Sequence, residues 1–335
     1  MKKYRVIIIV CLIASCSILK IKSNNDSFSL IPNHFPKPEY PINNELTKER
    51  VELGQKLFFD PILSRDRTIS CASCHKPELA FTDGLPFGKG IRGQIVSRNT
   101  PTLTNVAYQT SGLLHDQGVP ALEMQILVPV QETKEFDFNL KLIVSRLKSD
   151  SEYVDLSYRA YGQGMSGFVV TRAIAAFQRT LISGNSNYDK YVNGNKKALT
   201  KSEKKGKQLF FEKYKCTNCH SGFNFTNLSL KNNGIYKYPY PLDSGRMRIT
   251  HLEKDRDLFK VPTLRNVELT APYMHDGSFK TLDEVIEHYS KGGENHFNKS
   301  DFIKPLSISN EEKEQLIIFL KSLTDVDFVS KKYQN

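Results

Sequence analysis

Apolar positions recur with helical spacing after Thr47, where Val51, Leu53, Leu57 and Phe58 share one face and Thr47 supplies the cap. A second helix of this kind starts at Thr200. The two share a signature, Gly54-Gln55-Lys56-Leu57-Phe58-Phe59 against Gly206-Lys207-Gln208-Leu209-Phe210-Phe211. Downstream, Pro101-Thr102-Leu103-Thr104-Asn105-Val106 is echoed by Pro262-Thr263-Leu264-Arg265-Asn266-Val267, and His115-Asp116 by His275-Asp276. Leu122-Glu123 and Leu282-Asp283 each begin seven positions after the histidine. One internal duplication accounts for the whole series. Residues 153–182 keep helical apolar spacing and predict a bridge between the halves. Strand signals are few, so the predicted fold is mainly α with long loops.

The N-terminal pattern differs. Lys2, Lys3 and Arg5 lead into an apolar run at 6–14, so residues 1–16 predict an export signal. The run is too short to span a bilayer as a mature helix. Its end, Ile13-Ala14-Ser15-Cys16, is similar to a bacterial lipobox. That similarity implies a lipidated Cys16 and a periplasm-facing protein anchored to a bacterial membrane; an ordinary signal cut elsewhere is the alternative. Residues 17–45 are rich in Asn, Pro, Ser and Lys without an apolar period. They predict a flexible tether with a reach of roughly 30 Å. The rest is long enough for two domains, expected at 46–190 and 191–330.

The net charge of +11 loses only Lys2, Lys3 and Arg5 with the leader. A basic chain of this kind suits an acidic redox partner or an anionic membrane surface, although ordinary solubility explains it equally well. Nucleic acid is a poor partner for an exported chain.

The chemistry sits in Cys71-Ala72-Ser73-Cys74-His75 and Cys216-Thr217-Asn218-Cys219-His220. In CxxCH the two thiols add across the vinyl groups of one haem, and the histidine is the proximal iron ligand. One chance occurrence has a probability of about 0.003 at these residue frequencies, so two point firmly to two covalently bound haem c groups. A CxxC zinc knuckle or a thioredoxin-like dithiol is the competing reading. No cysteine remains for a disulfide, while haem attachment itself implies an oxidising compartment.

The duplication then separates the two sites. Tyr289 lies fourteen residues after His275, and Pro129 fourteen after His115. If the second position presents an axial ligand, the first presents none, because proline offers iron no side-chain donor. An open haem can bind and split peroxide, whereas a six-coordinate haem passes electrons. Peroxide cleavage also needs an acid/base, for which Glu135 is the candidate among Glu132, Glu135 and Asp137. Gln125, one helical turn before Pro129, is placed to hydrogen-bond a bound oxygen. His288 and Met274 are the alternatives to Tyr289. Arg98, Arg246, Lys260 and Arg265 sit in the motif loops and could pair with haem propionates, although singly each reads as an exposed charge. His34, His251 and His296 carry no motif and read as surface residues.

Several runs together carry a resemblance: both CxxCH sites, Arg98-Asn99-Thr100-Pro101-Thr102-Leu103, and Leu122-Glu123-x-Gln125 with Pro129 and Glu135. To these add Phe259-Lys260-Val261-Pro262-Thr263-Leu264-Arg265-Asn266 and Thr270-Ala271-Pro272-Tyr273-Met274-His275-Asp276-Gly277. Over residues 46–323 the chain resembles the bacterial di-haem cytochrome c peroxidase/MauG family. The resemblance implies two cytochrome c-like domains, a peroxidatic haem in the first and an electron-transfer haem in the second. It also implies a calcium ion between them, contacted by Asn99, Thr270 and Pro272, a hard-oxygen set. By the same resemblance Glu135 falls on the catalytic glutamate.

Three departures matter. Many family peroxidases cap the resting first haem with a histidine, and none stands between His75 and His115 here. The first haem is therefore expected to be open at rest. Tyr289 stands where those peroxidases carry methionine, as in MauG-type enzymes, and a phenolate favours ferric iron. His115 replaces the usual tryptophan between the haems, so it either carries charge poorly or only hydrogen-bonds propionates.

The leading expectation is a peroxidase reducing hydrogen peroxide to water with electrons from a small cytochrome c or cupredoxin. The alternatives are a MauG-type oxidase of a protein or organic substrate and a non-enzymatic electron-transfer or haem-sensing lipoprotein. A homodimer is compatible with each.

Overall fold

The computed structural model describes residues 31–238 and 243–333. Helices dominate, and the regular strands among the described residues are the antiparallel pair Leu230–Lys231 and Phe259–Lys260. Two hydrophobic cores organise the chain. The first collects Leu53, Leu57, Phe58, Phe81, Ile143, Val169, Ala173 and Phe177; the second collects Leu209, Phe210, Phe225, Ile286, Leu316 and Phe319.

Local chemistry sets each core's opening helix. Thr47 accepts the Arg50 N–H at the head of the helix Lys48–Phe59. Thr200 and Glu203 form a reciprocal capping box ahead of Lys201–Gln208. A glycine in each helix lets a later helix approach closely. A Cβ on Gly54 would stand 1.9 Å from the Ala173 carbonyl oxygen, and one on Gly206 1.9 Å from that of Gln315. The crossing partners are Gly167–Arg179 and Asn310–Lys321.

The repeat extends to the loops. Asn105 and Asn266 both take left-handed backbone, at φ 56° and 60°. Their side-chain oxygens accept the N–H groups of Ser183 and Asp325, each at 2.8 Å. Thr102 donates to the Ala80 carbonyl and Thr263 to that of Asn224.

Two expectations need correction. Residues 153–182 are not one bridging helix: Ser151–Tyr161 ends at left-handed Gly162, and Ser166 caps Gly167–Arg179, which belongs to the first core. Nor are residues 31–45 a free tether. Phe35 is buried against Tyr108 of the first half and Phe223 of the second. Fully buried Asn44 bonds Glu123 and the Arg172 carbonyl. An extended segment needs only such isolated anchors, which leave no apolar period. The earlier part of the expected tether and Cys16 lie outside the described residues.

The helix Asn187–Val192 spans the expected 190/191 boundary, and its Tyr188 packs in the second core. The chain then returns: Phe328 meets Phe81 at 5.6 Å, and Tyr333 stacks on Phe59 at 5.5 Å, both in the first core.

Candidate haem sites

Ser70 and Ser73 cap the single turn Cys71–Cys74, which presents both first-half thiols to one cavity of about 350 Å³. His75 lines the same cavity, and its Nδ1 lies 2.8 Å from the Phe81 carbonyl oxygen. A backbone acceptor fixes the proton on Nδ1 and leaves the Nε2 lone pair for a metal. His220 repeats the device, with Nδ1 3.1 Å from the Phe225 carbonyl oxygen. Burial pushes the Cys71 and Cys216 thiols up to about 12 and that of Cys74 to about 11. An exchanging dithiol needs a lowered pKa, so the thiols do not suit that competing role.

The cavity also gathers Gln125, Pro129 and Glu135, which the sequence placed together. The helix Leu122–Gln125 passes directly into Leu127–Gln131, putting Gln125 and Pro129 on the wall. Gln125 Oε1 accepts a 3.4 Å hydrogen bond from Gln178. Glu135 sits in the following turn, where Ile91 N–H donates to its carbonyl at 2.9 Å. Burial foremost, then the like charge of Glu132, raises the Glu135 carboxyl from 4.5 to about 7. Of the three neighbouring acids, Asp137 is drawn away into an ion pair with Arg65 at 2.8 Å.

The second half differs where Pro129 has its counterpart. Tyr289, on the helix Leu282–Lys291, is held by a hydrogen bond with Asn233. Burial raises its phenol pKa most strongly. Asn233 also engages both alternatives: its amide donates to Met274 Sδ at 3.3 Å, and its carbonyl lies 2.9 Å from His288 Nε2.

Between the halves, His115 lines the first cavity while its Nε2 lies 2.8 Å from the Asn99 carbonyl oxygen. A propionate bond from His115 would have to use Nδ1. Asn99 N–H donates to the His275 carbonyl at 2.8 Å, joining the loops that carry the expected calcium contacts. The Asn99 amide nitrogen turns to Leu85, leaving Oδ1 as a hard oxygen. Thr270 precedes a cis Ala271–Pro272 bond, of which Pro272 is the second residue. The His275 ring stacks on Phe259 at 3.8 Å, and its buried Nε2 has no hydrogen-bond partner among the described residues.

The basic residues divide. Lys260, from the second half, is buried in the first cavity's wall and bonds Gln109. Arg98 and Arg248 also line it, held by buried Asp116 at 2.7 Å each, with Asp243 on the other side of Arg98. Arg246 donates instead to the carbonyls of Asp116 and Gln117. Arg265 is neither exposed nor on that wall: it is fully buried in a two-point pair with Asp189 at 2.8 and 2.9 Å. His296, expected at the surface, is buried on Asp257 at 2.9 Å, and His34 bonds Asp189 at 3.0 Å. His251 is exposed. The sequence reading missed Asp243 and Arg248 as wall residues, because no local motif marks a loop that reaches across to the other half.

Known proteins are similar to this chain over most of its length. The family described as di-haem cytochrome c peroxidase matches residues 48–197. The methylamine utilization protein MauG of Methylorubrum extorquens is 36% identical over 306 residues, spanning 90% of this chain and 86% of that protein. The cytochrome c551 peroxidase of Nitrosomonas europaea is 34% identical over 281 residues, with 82% and 80% covered. A crystal structure of a MauG-like protein associated with microbial copper homeostasis superposes with a TM-score of 0.84 at 34% identity, covering 90% of this chain and 96% of that one. With relatives of 34–36% identity matched over most of their length, this chain belongs to the di-haem cytochrome c peroxidase family that includes MauG.

Proposed function

We propose that the first-half cavity is where hydrogen peroxide is reduced to water, with electrons delivered singly by a small cytochrome c or cupredoxin and relayed through the second half. The single observation behind this assignment is that Cys71, Cys74, His75, Gln125, Pro129 and Glu135 share one cavity. A haem bound there would supply the Lewis-acidic iron and the electrons for O–O cleavage. Cys71, Cys74 and His75 would hold it in the first half, and Cys216, Cys219, His220 and Tyr289 its counterpart in the second.

Pro129 leaves the peroxide face without a competing donor. Glu135, poised near neutrality, takes the proton from one peroxide oxygen and returns it to the other. Gln125 donates its amide N–H to the oxygen being held, since its Oε1 is already bonded to Gln178. Asn99, Thr270 and Pro272 would bind one Ca²⁺ between the halves. Cys16 would tether the exported protein to a bacterial membrane, facing the periplasm, where it could also form a homodimer.

Steady-state turnover of fully haem-loaded protein with reduced cytochrome c and hydrogen peroxide is the test. No peroxide-dependent oxidation of the donor would refute the assignment. The second reading, MauG-type oxidation of a protein or organic substrate, is favoured by Tyr289 and opposed by His115 in the tryptophan position. It requires peroxide-dependent oxidation of such a substrate with no external electron donor present.

A further inference from the structure

Reducing one peroxide breaks its O–O bond and takes two protons and two electrons, giving two waters. The electrons come from the donor protein; the protons must come from solvent to a half-buried acid. The cavity wall holds a second carboxyl suited to that supply. Glu132 lines the cavity yet is exposed to solvent. Its carbonyl accepts the N–H groups of Glu135 and Asp137, each at 3.0 Å, so both carboxyls ride on one turn. The turn is braced from outside, since a Cβ on Gly90 would stand 1.9 Å from the Lys134 carbonyl oxygen.

The other charged groups of the cavity are committed elsewhere. Arg98 and Arg248 hold Asp116, Asp243 holds Arg98, Lys260 holds Gln109, and His115 faces the Asn99 carbonyl. Cys71 and Cys74, which also feel Glu135, are the attachment thiols. Glu132 is different. Its Oε1 accepts the Lys134 N–H at 3.3 Å and the Thr133 hydroxyl at 3.4 Å, which leaves Oε2 to water.

We propose that Glu132 is the proton inlet of the cavity, exchanging with solvent on one side and recharging Glu135 on the other. This rests on Glu135 being the acid/base. Glu132 touches no reacting atom; it is a positioning residue that acts through Glu135.

The test uses fully haem-loaded protein with hydrogen peroxide and reduced cytochrome c, read as kcat and kcat/KM in light and heavy water on both sides of neutral pH. Glu132→Gln keeps the acceptor for Lys134 but cannot exchange a proton. Its kcat should fall about tenfold above neutrality with an enlarged solvent isotope effect, and Glu132→Asp should restore most of the rate. Removing the like charge should also move the rising limb of kcat/KM to lower pH. Unchanged kcat and isotope effect in Glu132→Gln, with Glu135→Gln inactive, would overturn the inlet and leave the role of Glu135 standing. Full turnover by Glu135→Gln would overturn both. Equal loss in the Gln and Asp variants with a normal isotope effect would make Glu132 merely a brace of the turn, and would overturn the inlet too.

Discussion

Glu135→Gln should make the protein both more stable and nearly inactive, and the size of each effect follows from the cavity. Burial and the Glu132 charge raise the folded carboxyl from 4.5 to about 7. For the ionised form that is a cost of about 3 kcal/mol, trimmed to about 2–3 kcal/mol by the solvent that reaches a half-buried group. The folded chain thus holds its proton where the unfolded chain has released it. Stability is full below about 4.5, falls as pH rises to about 7, and stays level above. Glutamine carries no charge and escapes the loss. The variant should therefore match the native protein in acid and exceed it by about 2–3 kcal/mol above neutrality. Loss of the proton shuttle should lower turnover about a hundredfold or more. Urea unfolding at matched pH values gives the first number, and donor oxidation by peroxide the second. A stability difference independent of pH, or an activity profile with its midpoint in the ordinary carboxylate range, would refute the reasoning.

Other expectations are independent of that carboxyl. Tyr289→Phe should change the low-temperature EPR signal of the second haem and leave the first unaltered; an unchanged spectrum would exclude the phenol as ligand. Gly54→Ala and Gly206→Ala each push a methyl to within 1.9 Å of a carbonyl oxygen on the crossing helix. Each should cost at least about 1–3 kcal/mol in denaturant unfolding. Arg265→Met strands the buried Asp189 carboxylate and should cost about 3–5 kcal/mol, seen as a lower urea midpoint.

What could be read from the sequence was local. The Thr47 and Thr200 caps, the CxxCH turns and the paired loop motifs each depend on a few neighbouring residues, and the structure contains them as expected. The His115 and His275 offsets rest on an internal copy that supplies its own register, and that register is what sets Pro129 against Tyr289. Failures came where distant contacts decide. Arg265 and His296 looked like surface residues because their carboxylate partners, Asp189 and Asp257, are far away in the chain. Residues 31–45 looked like a tether because two anchors, Phe35 and Asn44, make no pattern. The roles of Gly54 and Gly206 needed the crossing helices before a missing side chain acquired meaning.

The return of Phe328 and Tyr333 onto Phe59 and Phe81 has a consequence for biosynthesis. The first half is closed by residues translated long after its own core helices. A nascent chain must therefore leave Phe59 and Phe81 partly uncovered until Phe328 and Tyr333 have been made. Truncation just before Phe328 should yield a chain prone to aggregate, even though both attachment motifs would be intact.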